Sequence, residues 1–337
     1  MPFFSFISGT GSAFPVKRVT NFDLAESMGR SGISTNDAWI RERTGIAERR
    51  IVDPNNPDET NSSLGLAAAR KALEMAGKTP YDIDQIVYAT SSPDTLIPST
   101  ACWLQHKLGA SKAWAMDINA ACSGFVYALC TADQFIRSGQ TRTALVVGAE
   151  VYSAFVDWKD RNSAILFGDG AGAVVLERAP SDSDSRIIGS HLVSDGNLWN
   201  LFQIPAGGSN LEVTPERYAL GLHKIRMNGK EIFKAAVRTL TDMTTTVLDR
   251  NGFTAGDLAW LIPHQANIRI IHAIADRLKV PMEKLIVNLD RFGNTSSATI
   301  PTALDEAVRD GRIQTGDLIL FAAFGAGMTA GTLLLRY

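Results

Sequence analysis

The 337-residue chain reads as an α/β protein made of two similar halves. Three observations predict this. Leu73-Glu74-Met75-Ala76-Gly77, followed by Asp82-Ile83 and Ile86-Val87, lines up without a gap with Leu248-Asp249-Arg250-Asn251-Gly252, followed by Asp257-Leu258 and Leu261-Ile262. The offset is a constant 175 positions. The same 175 carries Asn119 to Asn294 and Cys122 to Ser297. A third echo pairs Phe167-Gly168-Asp169-Gly170-Ala171-Gly172, running into Ala173-Val174-Val175-Leu176, with Phe324-Gly325-Ala326-Gly327, running into Thr332-Leu333-Leu334-Leu335. Its offset is 157, so the first half carries extra residues, expected as a surface loop. The expected division is residues 1–180 and residues 181–337, each alternating strands with helices.

Taken in chain order, Met1-Pro2-Phe3-Phe4-Ser5-Phe6 lacks a basic segment before its apolar residues and reads as a first strand, not a signal peptide. The repeated segments each read as a helix ending at a glycine cap (Gly77, Gly252), a short polar turn, and a buried strand. Trp114-Ala115-Met116-Asp117-Ile118 reads as a short strand. After Asn119-Ala120-Ala121-Cys122-Ser123-Gly124, the residues Phe125, Val126, Leu129 and Ala132 recur at helical spacing through Phe135. A strand, a tight turn of small residues and a helix leave the Cys122 thiol at a helix N-terminus, where the dipole and free N–H groups favour a thiolate. Ser181-Asp182-Ser183-Asp184 reads as a polar loop between apolar runs. In the second half, Ile262-Pro263-His264-Gln265-Ala266-Asn267 sets a histidine directly after an apolar run, and Phe292-Gly293-Asn294-Thr295-Ser296-Ser297 offers an amide in a turn-rich segment.

Alone, each of these residues has a bland reading. Cys122 could pack as a small hydrophobe, His264 could sit in a solvated loop, and Asn294 after a glycine could make a turn. Together, a thiol, an imidazole and a carboxamide can attack an acyl carbon and stabilise developing negative charge. An unperturbed cysteine is only a few per cent ionised near neutral pH, so the placement of Cys122 matters for a nucleophile. The set requires a fold in which equivalent helix starts and strand ends of the two halves meet at one centre.

Composition narrows the class. Hydrophobic content of 45% and charged content of 20% suit a globular protein able to bury a sizeable core. A net charge of -2 supplies no general attraction to nucleic acid or anionic membrane. No apolar run reaches about 18 residues, so no membrane span is expected. Cys102, Cys122 and Cys130 are odd in number and lack CxxC spacing, which fits a reducing cytoplasm better than a disulfide framework or a zinc site. The five histidines include no HxxxH or HExxH pair, so no metal is expected.

An ordered series of motifs resembles the thiolase-fold condensing enzymes, most closely the β-ketoacyl-acyl carrier protein synthase III family. The series comprises Trp39-Ile40 with Arg43-Thr44-Gly45-Ile46, Ala121-Cys122-Ser123-Gly124-Phe125, Leu166-Phe167-Gly168-Asp169-Gly170-Ala171-Gly172, Pro263-His264-Gln265-Ala266-Asn267, Gly293-Asn294-Thr295-Ser296 and Phe324-Gly325. The resemblance runs nearly end to end and implies a five-layered αβαβα thiolase-like fold. It also implies a two-stage Claisen condensation without a resident cofactor. Cys122 would take an acyl group from a coenzyme A thioester. Malonyl-acyl carrier protein would then lose carbon dioxide, and its carbanion would attack the acyl group to start fatty acid synthesis. By the same resemblance His264 and Asn294 would stabilise the enolate, and the backbone N–H groups of Cys122 and Ala326 would form an oxyanion hole. Trp39, Arg43 and Arg161 would hold the adenine end of coenzyme A. Gly229 and Asn267 would line the pantetheine channel, and Lys234, Arg269 and Arg277 would face the carrier protein. Ile97 and Phe167 would border the acyl pocket, Ile97 across the interface of a homodimer.

Two departures bear on the primer. Ile97 stands where many relatives carry phenylalanine, and Met328-Thr329-Ala330-Gly331 replaces the commoner Phe-Thr-Trp-Gly. A longer or branched primer is therefore expected. A papain-like protease would share the Cys, His, Asn order but leaves the repeat unexplained, and a dinucleotide-binding enzyme is disfavoured because Gly168 to Gly172 leads into a β-like run. A thiolase proper lacks its second cysteine here. A relative that passes the same acyl-Cys122 to a different acceptor in secondary metabolism remains the alternative.

Overall fold

The computed structural model describes residues 3–180 and 183–337, so Met1, Pro2 and the Ser181-Asp182 start of the polar loop lie outside the described residues. The repeat is built as two sheets, whose elements are numbered here in chain order. The first holds β1 (Phe4–Ala13), β2 (Gln85–Ala89), β3 (Trp114–Ile118), β4 (Thr143–Val151) and β5 (Asp169–Ala179), in the order β1-β5-β4-β2-β3. The second holds β6 (Arg186–Ser194), β7 (Trp260–Pro263), β8 (Leu318–Gly325) and β9 (Thr329–Arg336), in the order β6-β9-β8-β7. The directions repeat as well. In each sheet the first two pairs are antiparallel and the next is parallel. The place of β3 in the second sheet is taken by a single parallel bridge, Leu261 to Leu285.

Six helices complete the layers: α1 (Asn61–Ala76), α2 (Thr100–Leu108), α3 (Gly124–Arg137), α4 (Gly229–Arg250), α5 (Ile268–Leu278) and α6 (Thr299–Arg309). The core strands are apolar on both faces, as strands covered by helices on each side must be. In β4, Ala144 and Val146 face the middle layer, while Leu145, Val147 and Ala149 face α1 and α2. In β8, Ile319, Phe321 and Ala323 face the middle, while Leu318, Leu320 and Ala322 face α4 and α5. The helices α3 and α6 lie between the sheets, contributing Phe125, Leu129, Ile300 and Leu304 to a core that touches both. Each such large apolar side chain contributes roughly 1.5–3 kcal/mol on burial. This is the αβαβα arrangement.

The offset of 175 extends to local detail. Thr79 with Asp82 and Thr254 with Asp257 form the same capping box on the same one-turn helix. Gly77 takes φ 63° and Gly252 takes φ 75°, although the second helix is capped one residue earlier, by Asn251. The extra residues of the first half are not the expected surface loop. They join β4 to β5 as Tyr152–Gly168, where Ala326–Met328 joins β8 to β9. Their apolar members Tyr152, Val156, Ala164, Ile165 and Phe167 are buried in a fourth cluster with Ile40 and Ile225. An apolar inward face turned the insertion into a wall of the site.

Candidate active site

Both halves present the same strained turn. Ala121, with φ 47°, opens the one-turn helix Ala121–Ser123 that leads into α3, and Ser296, with φ 51°, opens Ser296–Ala298 that leads into α6. A left-handed backbone on a residue with a Cβ costs on the order of 1 kcal/mol or more, and such strain gathers at functional sites. The two turns pack against each other in the middle of the molecule.

Ser296 joins the residues that the sequence singles out. Its hydroxyl is 3.4 Å from the Cys122 sulfur. Its N–H donates to Asn294 Oδ1 at 2.9 Å, which leaves the Asn294 Nδ2 end to act as a donor. Its carbonyl accepts the Thr299 N–H and lies 2.9 Å from Thr299 Oγ1, which is 2.7 Å from His264 Nδ1. His264 stands directly after β7, its N–H bound to Ala322 O at 2.8 Å. Cys122, His264 and Asn294 line one cavity of about 900 Å³.

The electrostatics correct one expectation. Burial pushes the Cys122 thiol up to about 12, against the hydrogen bond from Ser296. Burial thus opposes the helix N-terminus and favours the protonated thiol, whose proton departs as the sulfur reacts. Cys122 nevertheless keeps partial exposure to the cavity. Burial holds His264 down at about 3, so it is a neutral imidazole across the physiological range. Among the described residues, no three His, Cys, Asp or Glu side chains gather as metal ligands.

The remaining expected residues divide. Ala326, Phe167, Trp39, Arg43, Gly229, Asn267 and Arg269 line the same cavity. Arg161 does not, but its guanidinium lies 4.3 Å from the centre of the Trp39 ring, with that of Arg43 at 4.7 Å. Asn267 caps α5 and donates to Arg43 O, so its amide already holds the protein together. Lys234 and Arg277 stand outside the cavity on the surface, Lys234 paired with Glu231 at 3.0 Å. Ile97 is 88% exposed on the loop between β2 and α2 and is not among the residues that line this cavity. Of the two late departures, Met328 lines the cavity, whereas Ala330 packs into the core beside α4.

Several lining or supporting residues escape sequence reasoning. Phe202 and Met227 reach the cavity from a two-stranded ribbon too short to carry a period. Ser296 had a signal, being the partner of Ala121 at the offset of 175. Glu150 had one too, as a carboxylate closing the apolar run of β4.

Gly325 makes the closest approach to the nucleophile's turn. A Cβ there would stand 2.8 Å from Cys122 N and 3.0 Å from Ser123 N. Both are backbone atoms that cannot swing aside. Gly325→Ala is expected to cost about 1–3 kcal/mol, as overpacking does, and to slow Cys122 acylation at least tenfold. Thermal melting and single-turnover acylation check the two effects.

The matches to known proteins agree with this geometry. The family description 3-oxoacyl-[acyl-carrier-protein (ACP)] synthase III matches residues 116–196, and its C-terminal counterpart matches residues 248–337. A β-ketoacyl-[acyl-carrier-protein] synthase III of Xanthomonas campestris is 51% identical over 334 residues, 99% of this chain and 98% of its own. The chain belongs to the β-ketoacyl-acyl carrier protein synthase III family. A second member, from Methylococcus capsulatus, is 50% identical over 99% of each chain. Among solved structures, the synthase III of Aquifex aeolicus is 44% identical with a TM-score of 0.88, covering 99% of this chain and 100% of that one. The priming β-ketosynthase of the R1128 polyketide pathway is 36% identical with a TM-score of 0.89, covering 99% and 97%. Outside the synthase III family, Xanthomonas campestris OleA, 20% identical with a TM-score of 0.85 and coverage of 99% and 98%, shares the fold.

Proposed function

We propose that this synthase III family member condenses an acyl-coenzyme A primer with malonyl-acyl carrier protein through an acyl-Cys122 intermediate, initiating fatty acid synthesis. The observation that carries this reading is the convergence of Cys122, His264 and Asn294 on one cavity, tied together through Ser296. Residues 1–180 supply the nucleophile, and residues 181–337 supply the two groups that stabilise the enolate.

In the first stage the Cys122 sulfur attacks the thioester carbon, with the backbone N–H groups of Cys122 and Ala326 receiving the oxyanion. In the second, the malonyl thioester oxygen gains charge as carbon dioxide leaves. Asn294 donates to it from Nδ2, because its Oδ1 is committed to the Ser296 N–H. A neutral His264 donates from Nε2 only if Nδ1 is an acceptor. The Thr299 hydroxyl then donates to Nδ1, while the Thr299 N–H stays on the Ser296 carbonyl. Trp39 with Arg43 and Arg161 close to its ring suits an adenine ring with phosphates, by stacking and cationic contact. Gly229 and Asn267 border the pantetheine path, where a Cβ on Gly229 would meet only Met227 Cε at 3.7 Å. Arg269, with Lys234 and Arg277, offers the acidic carrier protein a basic face.

The exposed pair Leu96 and Ile97 supports a homodimer in which this loop borders the partner's acyl pocket. Three free cysteines support a reducing, cytoplasmic setting. Met328 in the cavity wall supports a primer longer or more branched than acetyl, and the likeness to a polyketide priming enzyme favours, as a second reading, a different primer or acceptor in secondary metabolism.

Intact-protein mass spectrometry with a panel of acyl-CoAs, followed by malonyl-acyl carrier protein, tests the reaction and its primer. The expected result is an acyl adduct on Cys122 that discharges into a β-ketoacyl carrier product. An adduct that ignores the malonyl carrier points to the second reading, no adduct removes the mechanism, and a strong preference for acetyl-CoA overturns the primer assignment.

A further inference from the structure

Glu150 closes β4 with its carboxylate fully buried, and it enters no ion pair among the described residues. Its charge is met only by donors without charge. Oε2 accepts from the Ser92 hydroxyl at 2.5 Å and the Thr90 hydroxyl at 3.2 Å. Oε1 accepts from the Ser91 hydroxyl at 3.0 Å and the Ser296 hydroxyl at 3.2 Å, and the Ser91 N–H reaches both oxygens. The condensation chemistry above makes no use of this carboxylate.

Counting protons orients the network. Each hydroxyl has one proton to give. Tyr152 and Ser91 lie 2.7 Å apart, and with Ser91 donating to Glu150, the Tyr152 hydroxyl donates to Ser91. The Ser296 oxygen has neighbours in Cys122 Sγ at 3.4 Å, Glu150 Oε1 at 3.2 Å and Tyr152 at 3.2 Å. When Ser296 gives its proton to Glu150, its oxygen is free to accept the Cys122 S–H. A continuous path then runs from sulfur to serine to carboxylate. The Cys122 and Glu150 pair cannot comfortably hold two negative charges in this enclosure, since like charges at short range disfavour joint ionisation.

We propose that Glu150, acting through the Ser296 hydroxyl, stores the Cys122 proton for the lifetime of the acyl-enzyme. The inference rests on the acyl-Cys122 reading. As the Sγ–C bond forms and the bond to coenzyme A breaks, the thiol proton passes to Ser296 Oγ while the Ser296 proton passes to Glu150 Oε1. Coenzyme A leaves as a thiolate and takes a proton from water at the mouth of the cavity. In the condensation, the carbanion forms the new C–C bond and the C–Sγ bond breaks with its electron pair going to sulfur. Glu150 returns the proton along the same path, and the pair carries one negative charge in the resting enzyme and one after release. Glu150 is thus a positioning residue for a proton, while Ser296 touches the reacting sulfur. The titratable groups facing Glu150 are Cys122, Tyr88 and Tyr152. Burial pushes both tyrosines well up, so neither competes for the proton near neutrality.

The test is single-turnover acylation of Cys122 by an acyl-CoA between pH 6 and 9, read by rapid quench and intact mass. Ser296→Ala is the decisive variant. Ala121 already holds an alanine at φ 47° in the equivalent turn, so the backbone tolerates the change. Native acylation is expected to be nearly flat with pH. Ser296→Ala is expected to be about a hundredfold slower at pH 7, within the usual range for lost proton transfer, and to recover about tenfold per pH unit as solvent takes over. Glu150→Gln is expected to behave likewise, and Glu150→Asp to regain part of the rate. A Ser296→Ala enzyme that acylates at the native rate, or is slowed equally at every pH, overturns the relay. If the native protein takes no acyl group, the acyl-Cys122 reading fails instead, and the two failures are distinct.

Discussion

Replacing Cys122 by alanine is expected to abolish acyl-enzyme formation with every primer while leaving a folded protein. The sulfur makes one side-chain hydrogen bond, to Ser296, and sits at the edge of the cavity, so its loss removes little packing. Cys130 supplies the control. It lies on α3 eight residues further on, fully enclosed, and burial pushes its thiol up to about 12 as well. Burial disfavours ionisation of both thiols, and of the two only Cys122 opens onto the cavity beside Asn294 and His264. Cys130→Ala is expected to retain acylation and to cost some stability through the cavity it leaves. Intact mass after acyl-CoA treatment separates the cases, and an adduct persisting on Cys122→Ala removes Cys122 as the nucleophile.

His264→Ala and Asn294→Ala are expected to split the reaction at its midpoint. In the proposed mechanism each removes a donor from the oxygen that gains charge during decarboxylation, and the loss of one such donor typically costs about 10²–10³ in rate. Carbon dioxide release from malonyl-acyl carrier protein should fall by that factor in each variant, while Cys122 acylation stays within a few-fold of native. The pH dependence carries a second check. Burial lowers His264 to about 3, so the cationic form is populated only below that value. Between pH 5 and 8 the decarboxylation profile is expected to lack a limb near the ordinary histidine range. A limb there that vanishes in His264→Ala, or equal damage to both half-reactions, would show that His264 acts otherwise.

The repeat was legible because the two halves preserve local chemistry as well as pattern. The capping threonines, the glycine stops and the asparagine before each strained turn recur in register, so the duplicated sheet could be read without coordinates. Cys122, His264 and Asn294 were legible because each interrupts a small or apolar stretch with a group that has reactive chemistry. The insertion Tyr152–Gly168 was misread because an excess of residues says nothing about which face is apolar. Thr299 stayed hidden for a different reason, and the signals at Ser296 and Glu150 said nothing of what those residues touch. Their roles come from contacts between chain positions up to 174 apart, and a serine in a turn is ordinary until its neighbours in space are known.

The middle layer has a further consequence, for how the protein comes apart. Because α3 and α6 each bury apolar side chains against both sheets, neither half owns a complete core. A chain cut near residue 181 would leave each fragment with an uncovered face, and the intact chain is expected to unfold as one cooperative unit despite its length. A partly melted form that still loads an acyl group on Cys122, yet has lost the means to use it, is thereby denied a stable existence.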